Sequence, residues 1–168
     1  EPGDPAIPYL KIVENTTGRF AFSQPTGYYS VSVLNTGNFV AAPASIGYFN
    51  AAPLLRSGIF TSMQQIDSLN DFAFQPTGTI NDLCVTITPN VSFRPGFDAV
   101  YTVNYSNPGT TTQNSTIVFY PDSQCTFLSS SIPPSTVTPD SIVFSLGNLT
   151  PLQSGHITIT VNVHQGLP

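Results

Sequence analysis

The sequence predicts an all-β protein organised as two tandem β-sandwich domains. Three observations carry this. Only 8% of the 168 residues are charged, and Glu and Lys number three between them, so amphipathic helices with charged outer faces have little to be built from. Pro (16) and Gly (12) are spread along the whole length and cut it into short runs. Those runs alternate apolar and polar residues with a period of two, the mark of a half-buried strand.

Taken in order, residues 1–8 carry three prolines and read as an extended lead-in. Strands are expected at 9–13, 19–23 and 28–34. The last alternates most clearly, with Tyr29, Val31 and Val33 on one side and Tyr28, Ser30 and Ser32 on the other. Gln24-Pro25-Thr26-Gly27 supplies the hairpin connection before it. Weaker strands are expected at 39–42 and 46–49. The stretch 59–74 reads as two strands joined by a turn, with a short helix as the alternative, because Ile59, Met63, Ile66 and Phe72 fall near helical spacing. Gln75-Pro76-Thr77-Gly78-Thr79 has no apolar periodicity and marks the domain boundary, giving domains at 8–75 and 81–165 with a linker at 76–80. Beyond it, strands are expected at 83–88, 100–106, 116–120, 126–130, 141–146 and 157–163, with turns at Asn107-Pro108-Gly109 and Gly147-Asn148. Six or seven short strands separated by turns indicate a sandwich. The tetrapeptide Gln-Pro-Thr-Gly occurs at 24–27 and again at 75–78 in unlike surroundings, which reads as coincidence rather than repeat.

Composition also bounds function. A net charge of −5 with four scattered cations leaves no basic stripe for nucleic acid or for an anionic membrane surface. No apolar run approaches the roughly 18–20 residues that span a bilayer. Ser, Thr, Asn and Gln supply 58 residues, so solubility rests on uncharged groups, while 40% hydrophobic residues and 19 aromatics suffice for packed cores. The chain starts at Glu1 rather than Met and is expected to be a mature form or an excised segment of an extracellular or cell-surface protein. The trailing Gly166-Leu167-Pro168 reads as the start of another linker.

The pattern Gly18-x-Phe20-x-Phe22-x-x-Pro25-x-Gly27-x-Tyr29-x-Val31-x-Val33 resembles the central hairpin of carboxypeptidase-regulatory-like modules, which are prealbumin-like, and Asp71-Phe72-Ala73-Phe74 resembles their closing strand. This resemblance covers residues 8–75. The opening strand of such modules is not evident before Pro8; either it is missing or the lead-in replaces it, and a missing strand leaves an unpaired edge. Residues 81–163 resemble the immunoglobulin-like conserved repeat domain of bacterial surface proteins. Tyr101-Thr102-Val103-Asn104-Tyr105-Ser106-Asn107-Pro108-Gly109-Thr110, Phe119-Tyr120-Pro121-Asp122 and Phe144-Ser145-Leu146-Gly147-Asn148-Leu149-Thr150-Pro151 carry it, as does Ile157-Thr158-Ile159-Thr160-Val161. The order of the two modules is similar to that in long secreted proteins of Bacteroidetes. The resemblance implies spacers, adhesin stalks or accessory domains, and no catalytic residue is carried over.

The residues with chemistry are few. His156 and His164 lie eight apart on one expected strand, roughly 26 Å when extended, too far to share a metal ion. Cys84 and Cys125 are the only cysteines and are either a disulfide or two inert thiols; Cys125 shares parity with Phe127 and is the more buried expectation, while Cys84 opposes Leu83, Val85 and Ile87. Asp67, Asp71, Asp82 and Asp98 are loop candidates for a calcium ion, the one cofactor considered, although no D-x-D-x-D run supports it. The nine acids form no recognisable catalytic pair. Tyr28, Tyr48 and Phe49 are candidate sugar-stacking rings. The N-x-S/T triplets starting at Asn15, Asn90, Asn104, Asn114 and Asn148 are what this composition produces. The functional expectation is a non-catalytic spacer that links neighbouring domains of a parent chain. The alternative is an adhesion module that takes glycan or an extracellular protein partner through exposed aromatics or a sheet edge.

Overall fold

The computed structural model describes residues 5–166 and contains no helix among them. The fold is all-β, with strands gathered into several sheets in an arrangement consistent with a β-sandwich. The chain divides into two compact units at the Gly78–Thr79 bond.

In the first unit, β1 (Lys11–Glu14), β2 (Phe20–Phe22), β3 (Gly37–Pro43) and β5 (Arg56–Phe60) form an antiparallel sheet in the order β2-β1-β3-β5. A separate ladder pairs β4 (Phe49–Ala52) with β6 (Ala73–Pro76). Ile12 and Phe39 are the buried apolar side chains here, and Glu14 and Ser23 are buried beside them. Phe20 and Phe22 share a face as alternation requires, but that face is exposed. Their rings meet edge to face at 5.8 Å and the Lys11 ammonium sits 4.4 Å above the Phe20 ring, so their pairing shields only part of their surface.

Several expected elements shift. Residues 28–34 do not form a strand. The Gln24–Gly27 turn does close, with Gly27 N donating to Gln24 O at 2.8 Å and Gln24 N to Tyr28 O at 2.7 Å. Beyond it Tyr29, Val31 and Val33 still turn inward while their neighbours face solvent, but the backbone joins no ladder. Period-two burial is thus kept without strand pairing. The expected strand 46–49 is instead a turn closed by an isolated Ile46–Phe49 bridge, with Tyr48 at a φ of 62°. The stretch 59–74 holds the end of β5, an irregular segment and the start of β6, which excludes the helical alternative. Pro76, expected as the first linker residue, is the last residue of β6.

In the second unit, β7 (Cys84–Pro89), β8 (Asp98–Ser106), β10 (Cys125–Ser130) and β13 (Ser154–Val163) form a sheet ordered β10-β13-β8-β7. A second sheet, β11-β12-β9, is built from β9 (Gln113–Phe119), β11 (Thr136–Val137) and β12 (Ile142–Leu149). One core lies between them. β13 contributes Ile157, Ile159, Val161 and Val163, every second residue, β12 contributes Ile142 and Phe144, and Ala99, Val103 and Phe119 complete it. Each fully buried aliphatic or aromatic side chain of this kind contributes about 1.5–3 kcal/mol. Gly147-Asn148, expected as a turn, lies inside β12. The register with β9 slips between Ser145 and Gly147, and Gly147 has a φ of 69°, so this glycine makes a β-bulge and the strand continues to Leu149. β7 is one of the two edge strands of its sheet and is exposed on both faces, Val85 and Ile87 included.

Candidate functional site

The first unit holds an open cleft of about 420 Å³, within the range of small-ligand sites. Its floor is one face of the β1-β3-β5 sheet. Strand register sets Glu14, Ala41 and Arg56 in one row and Phe39 and Gly58 in the next. Segment 28–33 forms one wall and segment 64–71 the other. Sequence reasoning passed over Arg56, because nothing in Arg56-Ser57-Gly58-Ile59-Phe60 reveals that the face carrying Arg56 and Phe60 turns inward while Ile59 faces solvent. The Asp67 carboxylate rests directly over the β5 backbone at Gly58: a Cβ there would lie 2.6 Å from Asp67 Oδ2 and would push that side chain aside.

Polar groups from the floor and both walls gather in this cleft. Arg56 Nε donates to Asp71 O at 3.1 Å. Asp67 Oδ1 accepts from Leu69 N at 3.2 Å. The Tyr29 hydroxyl donates to Asn70 O and its ring lies 6.3 Å from Phe72. Burial pushes the Tyr29 hydroxyl up to about 12, and the Asp71 and Asp67 charges add to this against the opposing pull of Arg56; Tyr29 is therefore a neutral donor at every ordinary pH. Glu14 belongs to the same floor, but its carboxylate is committed to the β1–β2 turn. It accepts from Thr16 N at 2.6 Å, Thr17 N at 2.8 Å and the Thr17 hydroxyl.

The expected site residues scatter. Tyr28, Asp67 and Asp71 all line the cleft, whereas Tyr48 and Phe49 do not. Tyr48 is instead held by its backbone, whose carbonyl receives Thr77 N and Oγ1 at 2.9 and 3.0 Å. The four aspartates considered for calcium are not brought together. Asp67 and Asp71 share the cleft, Asp98 is bonded to Asn162 Nδ2 at 2.7 Å at the start of β8, and Asp82 precedes β7, which pairs with the far end of β8. Among the described residues no three His, Cys, Asp or Glu side chains form a metal-holding group. His156 lies near the start of β13 and His164 just past its end, where His164 Nε2 meets Thr126 Oγ1 at 2.7 Å.

The disulfide alternative for Cys84 and Cys125 is excluded. Both thiols are free, and the register places them at diagonal corners of one sheet. Cys84 is level with Ser106 and hence Ser154, Cys125 with Val163, nine residues further along β13. That is roughly 30 Å along the strand and about 14 Å across three strand spacings, against a usual Cα separation of about 6 Å. Burial, with the Asp122 charge second, pushes the Cys125 thiol up. Maleimide labelling of the folded protein is therefore expected to modify exposed Cys84 first, and a peptide linking Cys84 to Cys125 after air oxidation contradicts this geometry.

A second constellation lies where the chain enters the second unit. Ile80 N donates to Thr110 Oγ1 at 2.8 Å and Thr110 N to Ile80 O at 2.8 Å, while Thr111 Oγ1 also reaches Ile80 O at 3.2 Å. Gln113 Nε2 bonds Asn81 Oδ1 at 2.9 Å. Beneath this clasp Asn107 is fully buried with its amide saturated: Nδ2 donates to Thr111 O and Leu149 O, both at 2.8 Å, and Oδ1 accepts from Gly109 N at 3.0 Å. No family model, no curated protein and no solved structure matches the chain. A Cβ at Gly109 would lie 2.6 Å from Ile80 O and 2.7 Å from Asp82 N, both backbone atoms. Gly109→Ala is expected to cost roughly 1–2 kcal/mol as overpacking and to speed amide exchange at Ile80 and Thr110. Unchanged exchange at those two amides means that the clasp tolerates the methyl group.

Proposed function

We propose that this chain is a non-catalytic structural segment of a larger exported protein, holding neighbouring domains at a set spacing. It is read as a carboxypeptidase-regulatory-like, prealbumin-like module followed by an immunoglobulin-like repeat module. The observation that carries the spacer reading is the anchoring of the connection from both sides. Thr77 is fastened to Tyr48 O in the first unit, and Ile80 to Thr110 in the second. Only Gly78 and Thr79 lie between these anchors, so Thr77 and Ile80 are at most about 10–11 Å apart at full extension.

A spacer transmits position only when its connections do not act as free joints, and short anchored links meet that need better than flexible ones. The scarcity of charge fits the same role: uncharged hydroxyls and amides keep a surface hydrated without long-range attraction to one sign of partner. Rotational correlation times from amide relaxation test the reading. One shared correlation time for both units, split in two by a Gly-Ser insertion after Gly78, is the expected result. Two independent times in the unaltered chain defeat the spacer reading.

A further inference from the structure

We propose that the cleft of the first unit is a binding site for a neutral sugar, a function that goes beyond spacing and does not depend on it. Two features of the cleft carry the proposal: hydrogen-bonding groups without protein partners, and an exposed tyrosine at the rim.

Arg56 uses only Nε, toward Asp71 O; its two terminal nitrogens have no hydrogen-bond partner among the described residues. The Asp71 carboxylate is exposed and likewise unpartnered, while Asp67 has committed one oxygen to Leu69 N. These side chains line one cleft with Gln64. A vicinal diol both donates and accepts, so it needs planar groups of both kinds side by side, which a guanidinium, carboxylates and an amide supply. Tyr29 lines the same cleft, but its hydroxyl proton is committed to Asn70 O, so toward a ligand it can only accept.

Tyr28 stands on the wall of the same cleft with 61% of its surface exposed. The C–H face of a pyranose is apolar and weakly positive, matching the negative face of an aromatic ring. Charge selects among sugars. One arginine against two aspartates leaves the lining net negative before Glu14 is counted, so uronic or sulfated residues meet repulsion while neutral hexoses and pentoses do not. The cleft volume of about 420 Å³ suits one or two sugar rings rather than a long chain, by the usual scale of small-ligand pockets.

The test is a printed array of neutral and acidic oligosaccharides, followed by titration of any bound disaccharide into the full chain with amide chemical shifts as readout. Binding to neutral glycans, with shifts concentrated at 28–33 and 64–71, is expected. Tyr28→Ala and Asp71→Asn, both at exposed positions, are each expected to weaken it about tenfold or more. Tyr120→Ala, an exposed aromatic in the other unit, is expected to leave it unchanged. An array with no neutral ligand, a preference for acidic sugars, or binding indifferent to both cleft variants overturns the proposal.

Discussion

Asn107→Ala is expected to destabilise the second unit by at least about 3 kcal/mol. The side chain is fully buried and satisfies three backbone groups, two in its own loop (Gly109 N and Thr111 O) and one at the end of β12 (Leu149 O). Its own backbone adds two more ties, from Asn107 N to Gln153 O at 2.9 Å and from Leu152 N to Asn107 O at 2.7 Å. Removing the amide takes the donated N–H from the Thr111 and Leu149 carbonyls and leaves Gly109 N only its long 3.4 Å bond to Asp82 O; each buried backbone group left without a partner costs about 1–3 kcal/mol. Asn107→Asp is expected to do no better, since a carboxylate has no N–H for the Thr111 and Leu149 carbonyls. Urea unfolding followed at the β13 amides should show a midpoint lowered by roughly 1–2 M at unchanged slope. A loss below about 1 kcal/mol would mean that water reaches all three groups and that the residue is not the pin of this loop.

The second large effect is expected at Glu14. Burial raises its carboxyl, but hydrogen bonds from Thr17 and Thr16 outweigh this and bring it down to about 2 from an ordinary 4.5. A group depressed in the folded state stabilises above its unfolded value and loses that contribution as pH falls toward the folded one. The first unit should therefore weaken progressively between about pH 4.5 and pH 2. Glu14→Gln is expected to cost roughly 1.5–3 kcal/mol at neutral pH, the scale of hydrogen bonds to a charged group, and to flatten the acid dependence in that window. Thermal unfolding at a series of pH values, read at β1 and β2 amides, checks both. If the variant and the original chain lose stability in parallel down to pH 2, the carboxylate is not the acid-sensitive element.

The all-β class was legible because it follows from what the chain lacks, helix-surface charges, and from period-two runs such as 157–163, where every second residue is in the core. Alternation reports which way side chains face, not whether the backbone finds a partner. That is why 28–34 reads as a strand and is not one: its inward residues are right, its ladder is absent. Gly147 was misleading for a related reason. A glycine at positive φ serves a turn and a bulge equally, and only the register with β9 separates them. β11, two residues long, leaves no periodic trace at all.

The candidate cleft was legible only in fragments. Tyr28, Asp67 and Asp71 stood out as an exposed ring and loop carboxylates, but Arg56 and Tyr29 became visible only through the pairing of β3 with β5 and the path of 28–33. The clasp at Ile80 was hidden likewise. Asn107-Pro108-Gly109 announced a turn, whereas the buried amide and its reach to Leu149, 42 residues later, are properties of the folded unit.

The central claim is that the connection at Thr77–Ile80 is held rather than loose, and backbone order parameters from amide relaxation test it most directly. The anchored geometry predicts values near 0.85 at Thr77 and Ile80, as in the flanking strands, with at most a shallow dip at Gly78 and Thr79. Values below about 0.6 across the four residues, the signature of a flexible tether, would contradict the claim and leave the chain without its strongest argument for a spacing role.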